Sequence, residues 1–249
     1  MQTALRQRFY LIDALRGFAV FHMIAYHLCY DIFVIFGRSP QWFQHPPVIL
    51  WERFICCTFI LIAGISWHWG RRHNLRRGLL LNGFGLLLTL ITWLILPDSL
   101  ILFGILNFLG CAVLLLILLD PVLSKISPRV GVCVSFLLFL FFYPVTRHFL
   151  GFGNLSLIQV PEFLYEAKFL APLGFPSAHF YSSDYFPLLP WFFLFCAGYF
   201  LNPILTNAPR LRPLLCRRLP ILTKAGQHSL LLYLVHQPLC MLLCILFFS

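Results

Sequence analysis

Apolar residues along the chain gather into seven long runs, most of them separated by short polar or proline-containing gaps. The runs cover about 9–36, 47–69, 78–97, 100–119, 130–149, 186–202 and 227–248. Each is near the ~20 residues a helix needs to cross the ~30 Å hydrocarbon core of a bilayer. The pattern predicts an all-α, polytopic membrane protein of about seven transmembrane helices. Pro97-Asp98-Ser99 reads as a tight turn between the third and fourth helices, and Asp120-Pro121 as the start of the next loop. The sixth run is short and flanked by prolines, which predicts a tilted or irregular helix. Residues 150–185 form the one long connection, rich in Gly, Pro, Ser and aromatics, with an amphipathic piece expected from Glu162 to Phe169.

Composition excludes a water-soluble fold. Of 249 residues, 60% are hydrophobic and 10% charged, against roughly 25% charged in soluble domains. Residues 1–249 therefore read as a single transmembrane domain with no room for a separate soluble one, and the lipid bilayer is its first partner. The net charge of +10 raises nucleic acid as a partner, but the positions of the basic residues exclude it. With the amino terminus in the cytoplasm, the inner segments hold Arg6, Arg8, Arg71, Arg72, Arg76, Arg77, Lys125, Arg129, Arg210, Arg212, Arg217, Arg218 and Lys224. The outer segments hold only Arg38, Arg147 and Lys168, as the positive-inside bias requires. That orientation puts residues 150–185 and the carboxyl terminus outside. The amino-terminal stretch has the layout of a signal peptide, yet it carries ionisable residues and no small-residue cleavage site, so it reads as the first helix. Nine cysteines occur without a CxxC pair, mostly inside apolar runs. They read as small buried hydrophobes, and no metal site is expected.

Candidate chemistry lies on the first helix. At about 100° per residue, Asp13, Arg16, Val20, His27 and Asp31 fall within an arc of roughly 60°, with His22 on the opposite side. An ionisable group at the bilayer centre costs about 2.5–3.5 kcal/mol, so this row must face protein or an aqueous cavity. Asp13 can pair with Arg16 three residues on, as a structural ion pair. His27 and Asp31 are one turn apart, a spacing at which a carboxylate can orient an imidazole that accepts a proton. Arg16 stands ~16 Å from His27 along the axis, which suits a substrate spanning much of the membrane. Glu52 and Arg53, near the outer end of the second helix, can neutralise the first-helix charges across a hairpin. His45, in the outer loop WFQHPP, can reach an external substrate.

Arg16, ten intervening residues and His27 resemble the Arg–His motif of the acyltransferase-three superfamily of membrane O-acyltransferases. The longer pattern is IDALRG (12–17), HLCYD (27–31), FILIAGIS (59–66), FGILNFLGC (103–111), YFPLLPWFFLFCAGYFL (185–201) and SLLLYLVHQP (229–238). It is similar to the bacterial relatives of heparan-alpha-glucosaminide N-acetyltransferase and covers nearly the whole chain in order. The resemblance implies transfer of an acetyl group from cytosolic acetyl-CoA to a sugar or glycan across the bacterial inner membrane. It implies no metal or prosthetic group, and it leaves a homodimer open. Two histidines match the family's catalytic one: His27 in the motif, accompanied by Asp31, and His45 in the first outer loop. Asn107 stands where many relatives have His. The resemblance makes Arg71, Arg72, Arg76 and Arg77 candidates for the phosphates of CoA, and Asp184, Trp191 and His236 candidates for the acceptor side.

Two other functions compete. An intramembrane Asp/Arg/His row also suits a proton-coupled transporter or exporter, although no repeat symmetry is visible. A haem-binding electron carrier needs paired histidines, and His22 and His27 face different ways.

Overall fold

The computed structural model describes residues 8–248; Arg6, expected among the cytoplasmic arginines, lies outside them. The α-helices are α1 (Tyr10–Tyr30), α2 (Pro46–Ser66), α3 (Asn74–Ile95), α4 (Ile105–Leu123), α5 (Pro128–Phe142), α6 (Phe163–Glu166), α7 (Leu188–Thr206), α8 (Arg212–Leu215), α9 (Pro220–Gln227) and α10 (Ser229–Phe248). One antiparallel hairpin joins β1 (Phe149–Phe152) to β2 (Leu155–Gln159). Seven of the helices, some with their 3-10 or π extensions, are long and apolar enough to cross a membrane. Their outward faces carry large apolar side chains such as Leu94, Leu118, Leu246 and Phe247. Water would penalise that surface, whereas lipid accepts it once the helices satisfy their own backbone groups. The chain is a multi-pass, all-α membrane protein.

The seven runs appear where the hydropathy pattern put them, and the differences have local causes. The fourth helix begins at Ile105 rather than near 100. Leu100–Phe103 stays non-helical, with Phe103 left-handed (φ 54°): the Leu102 N–H donates to Ser182 Oγ (2.9 Å), while the Leu100 and Phe103 carbonyls accept from the N–H groups of Ser183 (2.9 Å) and Phe186 (3.1 Å). Asp120-Pro121 does not start a loop, because α4 continues to Leu123. A proline in the last turn removes only one helical hydrogen bond, a small cost beside the bonds that buried Asp120 makes, described below. The irregularity expected in the sixth run is at Leu189, whose extended conformation precedes Pro190. Within 150–185 the hairpin was not foreseen, and the amphipathic piece resolves into α6 and a 3-10 turn, Lys168–Leu173.

The chain divides into two compact units, Met1–Ile62 with Thr206–Ser249, and Ala63–Leu205. In the first, α1 is the centre and packs against α9 and α10. Contact with α9 is backbone to backbone. A Cβ on Gly17 would run into the Leu222 carbonyl, and one on Gly226 into the Asp13 carbonyl. In the second unit α3 and α4 form an antiparallel hairpin. Gly78 and Gly85 of α3 lie against Leu114 and Asn107 of α4, and Gly110 of α4 lies against Asn82. Small residues at membrane helix contacts permit this close approach. Gly64 likewise lies against the Phe195 backbone of α7.

Candidate active site

The polar row is carried by α1 and separates into two groups. Near the amino-terminal end, buried Asp13 holds two arginines, accepting from Arg16 at 3.0 Å and from Arg8 at 2.9 Å. Arg16 also reaches the Gly226 carbonyl at 3.5 Å. The Arg218 guanidinium lies 3.9 Å over the Tyr10 ring and donates to its hydroxyl. This group ties the start of α1 to the segment leading through α9. The pairing of Asp13 with Arg16, foreseen from their spacing, is present.

Near the other end, α10 covers the row. Asp31 is 0% exposed, and its Oδ1 accepts from Gln237 Nε2 at 2.8 Å. The His27 and His236 rings meet edge to face with centroids 4.8 Å apart. His236 Nδ1 donates to the Tyr233 carbonyl at 2.6 Å, which leaves its Nε2 as an acceptor. Three buried atoms here have no hydrogen-bond partner among the described residues: Asp31 Oδ2, His236 Nε2 and Gln237 Oε1. Leaving each one unmet costs about 1–3 kcal/mol. All three sit on residues at the contact of α10 with the end of the first helix, and each such buried group asks for an explanation. Asp31 also opens a π-helical segment, Asp31–Ile35, in which the Phe36 N–H reaches the Asp31 carbonyl at 2.9 Å. Such wide turns recur at functional sites.

His27 and Asp31 share a face, as the helical wheel required, but no hydrogen bond joins them among the described residues. The carboxylate turns to Gln237 because α10 packs on that face and supplies an amide donor. Glu52 and Arg53 do not neutralise Asp31. They pair with each other at 3.7 Å, both partly exposed. His22, on the far side of α1, accepts at Nδ1 from Trp51 Nε1 (2.9 Å). Trp51 also meets Tyr26, and Phe43 meets both Tyr26 and Tyr30, at centroid distances of 5.3–5.4 Å. Sequence reasoning missed this aromatic wall, although the one-turn spacing of Tyr26 and Tyr30 was a signal for it. His45 is exposed at the start of α2; its carbonyl accepts from the Val48 N–H, and its imidazole makes no hydrogen bond among the described residues.

The remaining candidates lie in the second unit. Arg71 forms an ion pair with buried Asp120, which also accepts from the Tyr199 hydroxyl at 2.8 Å. His68 stacks on Tyr199 (4.3 Å), and its Nε2 donates to the Tyr199 carbonyl at 3.2 Å. Burial lowers the His68 pKa below the ordinary imidazole value. Arg71 is therefore held, whereas Arg72 and Arg76 are exposed and Arg77 is half-buried. Asn107 is buried in the α3–α4 contact, 3.5 Å from the Asn82 carbonyl. Asp184 accepts from the Ile105 N–H at 3.1 Å and so caps α4. Trp191 is 4% exposed and packs among Phe139, Tyr143 and Phe186.

A profile of the family described as heparan-alpha-glucosaminide N-acetyltransferase, catalytic, matches residues 8–238. No significant match to a curated protein or to a solved structure is found. The match spans nearly the whole chain, and the chain belongs to this family of membrane acetyltransferases.

Proposed function

We propose that this member of the family moves an acetyl group from cytosolic acetyl-CoA to a sugar or glycan acceptor on the opposite side of the membrane, with His27 as the group that handles the proton. What supports the reading is that three residues packed where α10 meets the end of the first helix, Asp31, His236 and Gln237, each hold an unpartnered buried polar atom, and that the His236 ring meets that of His27. In this reading the acceptor amine or hydroxyl attacks the thioester carbonyl as His27 takes its proton. The carbon–sulfur bond breaks, and CoA leaves as a thiolate that is then protonated. His236 Nε2 and Asp31 Oδ2, both acceptors, orient the attacking donor group and stabilise the cation formed on His27. The test is purified protein with labelled acetyl-CoA and an amino-sugar acceptor, scored for labelled product and released CoA. Sugar flux without CoA release would favour the transporter reading instead.

A second reading gives the proton-handling role to His45. It is favoured by exposure of that imidazole at the end of a turn whose Phe43 belongs to the aromatic wall. Comparing His27→Ala with His45→Ala in the same assay decides between them.

The donor's phosphates fall in this reading to the exposed Arg72 and Arg76, because Arg71 is committed to Asp120. Replacing Arg72 and Arg76 together by Ala is expected to raise KM for acetyl-CoA about tenfold with kcat nearly unchanged, the signature of lost uniform binding. Steady-state kinetics at varied acetyl-CoA checks this, and an unchanged KM would remove the loop from the donor site.

A further inference from the structure

The connection between α5 and α7 forms an open cavity of about 400 Å³, walled in part by Thr146, His148, Ser177, Phe180, Tyr181 and Tyr185. Its volume falls within the roughly 300–1,000 Å³ usual for small-molecule sites. No lining residue is Asp, Glu, Lys or Arg, so neither an anion nor a metal ion finds a fixed countercharge there.

His148 is held by its surroundings. Its backbone is left-handed (φ 67°), its ring stacks on Tyr165 at 3.8 Å, and its Nδ1 lies 3.1 Å from both carboxylate oxygens of Glu162. A carboxylate only accepts, so Nδ1 carries the proton and donates to Glu162, which leaves Nε2 to face a ligand. Tyr165 in turn donates to the Val145 carbonyl at 2.5 Å, and burial pushes its phenol up to about 12. Tyr185 and Tyr181 spend their hydroxyls on the carbonyls of Ala171 (2.5 Å) and Asp98 (3.1 Å), so their rings stand as fixed walls. By contrast, His148 Nε2 and the hydroxyls of Thr146 and Ser177 make no hydrogen bond among the described residues. The cavity therefore combines fixed aromatic faces with uncommitted polar groups.

We propose that this cavity is a saccharide-binding subsite. The apolar face of a sugar ring lies against Phe180 and Tyr185, and ring hydroxyls or an amine bond to Thr146, Ser177 and His148 Nε2. The assignment rests on the acetyltransferase reading for its sugar acceptor, and on the charge-bias orientation that puts residues 150–185 on the acceptor side.

The experiment uses the full chain in lipid nanodiscs, titrated with D-glucosamine at a pH where its amine is largely uncharged. Binding is read by calorimetry and acetyl transfer is measured in parallel. Wild-type protein is expected to bind saturably, with inorganic phosphate failing to compete. Ala178→Trp, which fills the cavity from an exposed position, is expected to weaken binding about tenfold or more, and Ser177→Val and His148→Asn about fivefold each. Asn tolerates the left-handed backbone at 148. A thermal transition for each variant separates lost binding from lost fold, and Ser177→Val serves if the tryptophan variant is unstable. Absence of sugar binding in wild type, or binding unmoved in folded variants, overturns the subsite. Wild-type protein that binds glucosamine without transferring acetyl leaves the subsite standing and removes the acetyltransferase reading. Transfer whose acceptor KM is the same in all three variants does the reverse.

Discussion

His27→Ala lowers kcat for acetyl transfer by about 10²–10⁴-fold, the range a positioned general base contributes, while the protein still purifies as a folded membrane protein. The fold survives because the imidazole makes no hydrogen bond among the described residues and meets His236 only through an edge-to-face ring contact. His236→Ala removes the acceptor at Nε2 and costs a smaller factor, about tenfold, because it orients the donor group without taking the proton. His45→Ala stays within about threefold of wild type. Kinetics with acetyl-CoA saturating and acceptor varied provide the measurement. Full turnover in His27→Ala would move the chemistry away from the α1–α10 contact.

The second large effect is on stability. Gly17→Val drives a side chain into the α9 backbone, where the Leu222 carbonyl and the Gly226 N–H leave no space for a Cβ. Overpacked side chains can often rotate away, but two backbones held in contact must separate, so the cost is about 3 kcal/mol or more. Thermal unfolding in detergent is expected to show a large fall in Tm together with loss of transfer activity. Gly83→Ala is the control. No atom lies within 4 Å of its added Cβ, and alanine is the better helix former by up to ~1 kcal/mol, so its Tm is unchanged or raised. Equal behaviour of the two variants would dismiss the close α1–α9 crossing.

These predictions draw on features that were unequally visible in the sequence. Lipid imposes so strong a length and polarity requirement that the seven spanning runs stood out directly, and the shared face of Asp13, Arg16, His27 and Asp31 followed from helical winding alone. Boundaries were harder. Leu100–Phe103 is as apolar as the helix after it, and its bonds to Thr92 and to residues 182–186 hold it out of the helix. The segment around α9 looked like a basic loop because few of its residues are apolar, yet glycine at 226 lets it dock on α1. Partners were harder still. The wheel showed which way Asp31 faces, but not that α10 would offer Gln237 there and detach the carboxylate from His27. The histidine–carboxylate pairing expected on the first helix occurs instead between His148 and Glu162, in a connection whose periodicity predicted nothing of the kind.

The π segment Asp31–Ile35 gives the first helix a phase slip. A π turn holds about one residue more than an α turn, so the chain beyond it is set roughly 100° from where uniform winding would carry it. Removing one residue inside that segment can be absorbed by reverting to ordinary winding, with His27 and Asp31 still aimed at α10. Removing one near Val20 has no such outlet and would swing both toward a different neighbour. Tolerance to single deletions along this helix should therefore be confined to Ile32–Ile35, the part of the segment beyond Asp31.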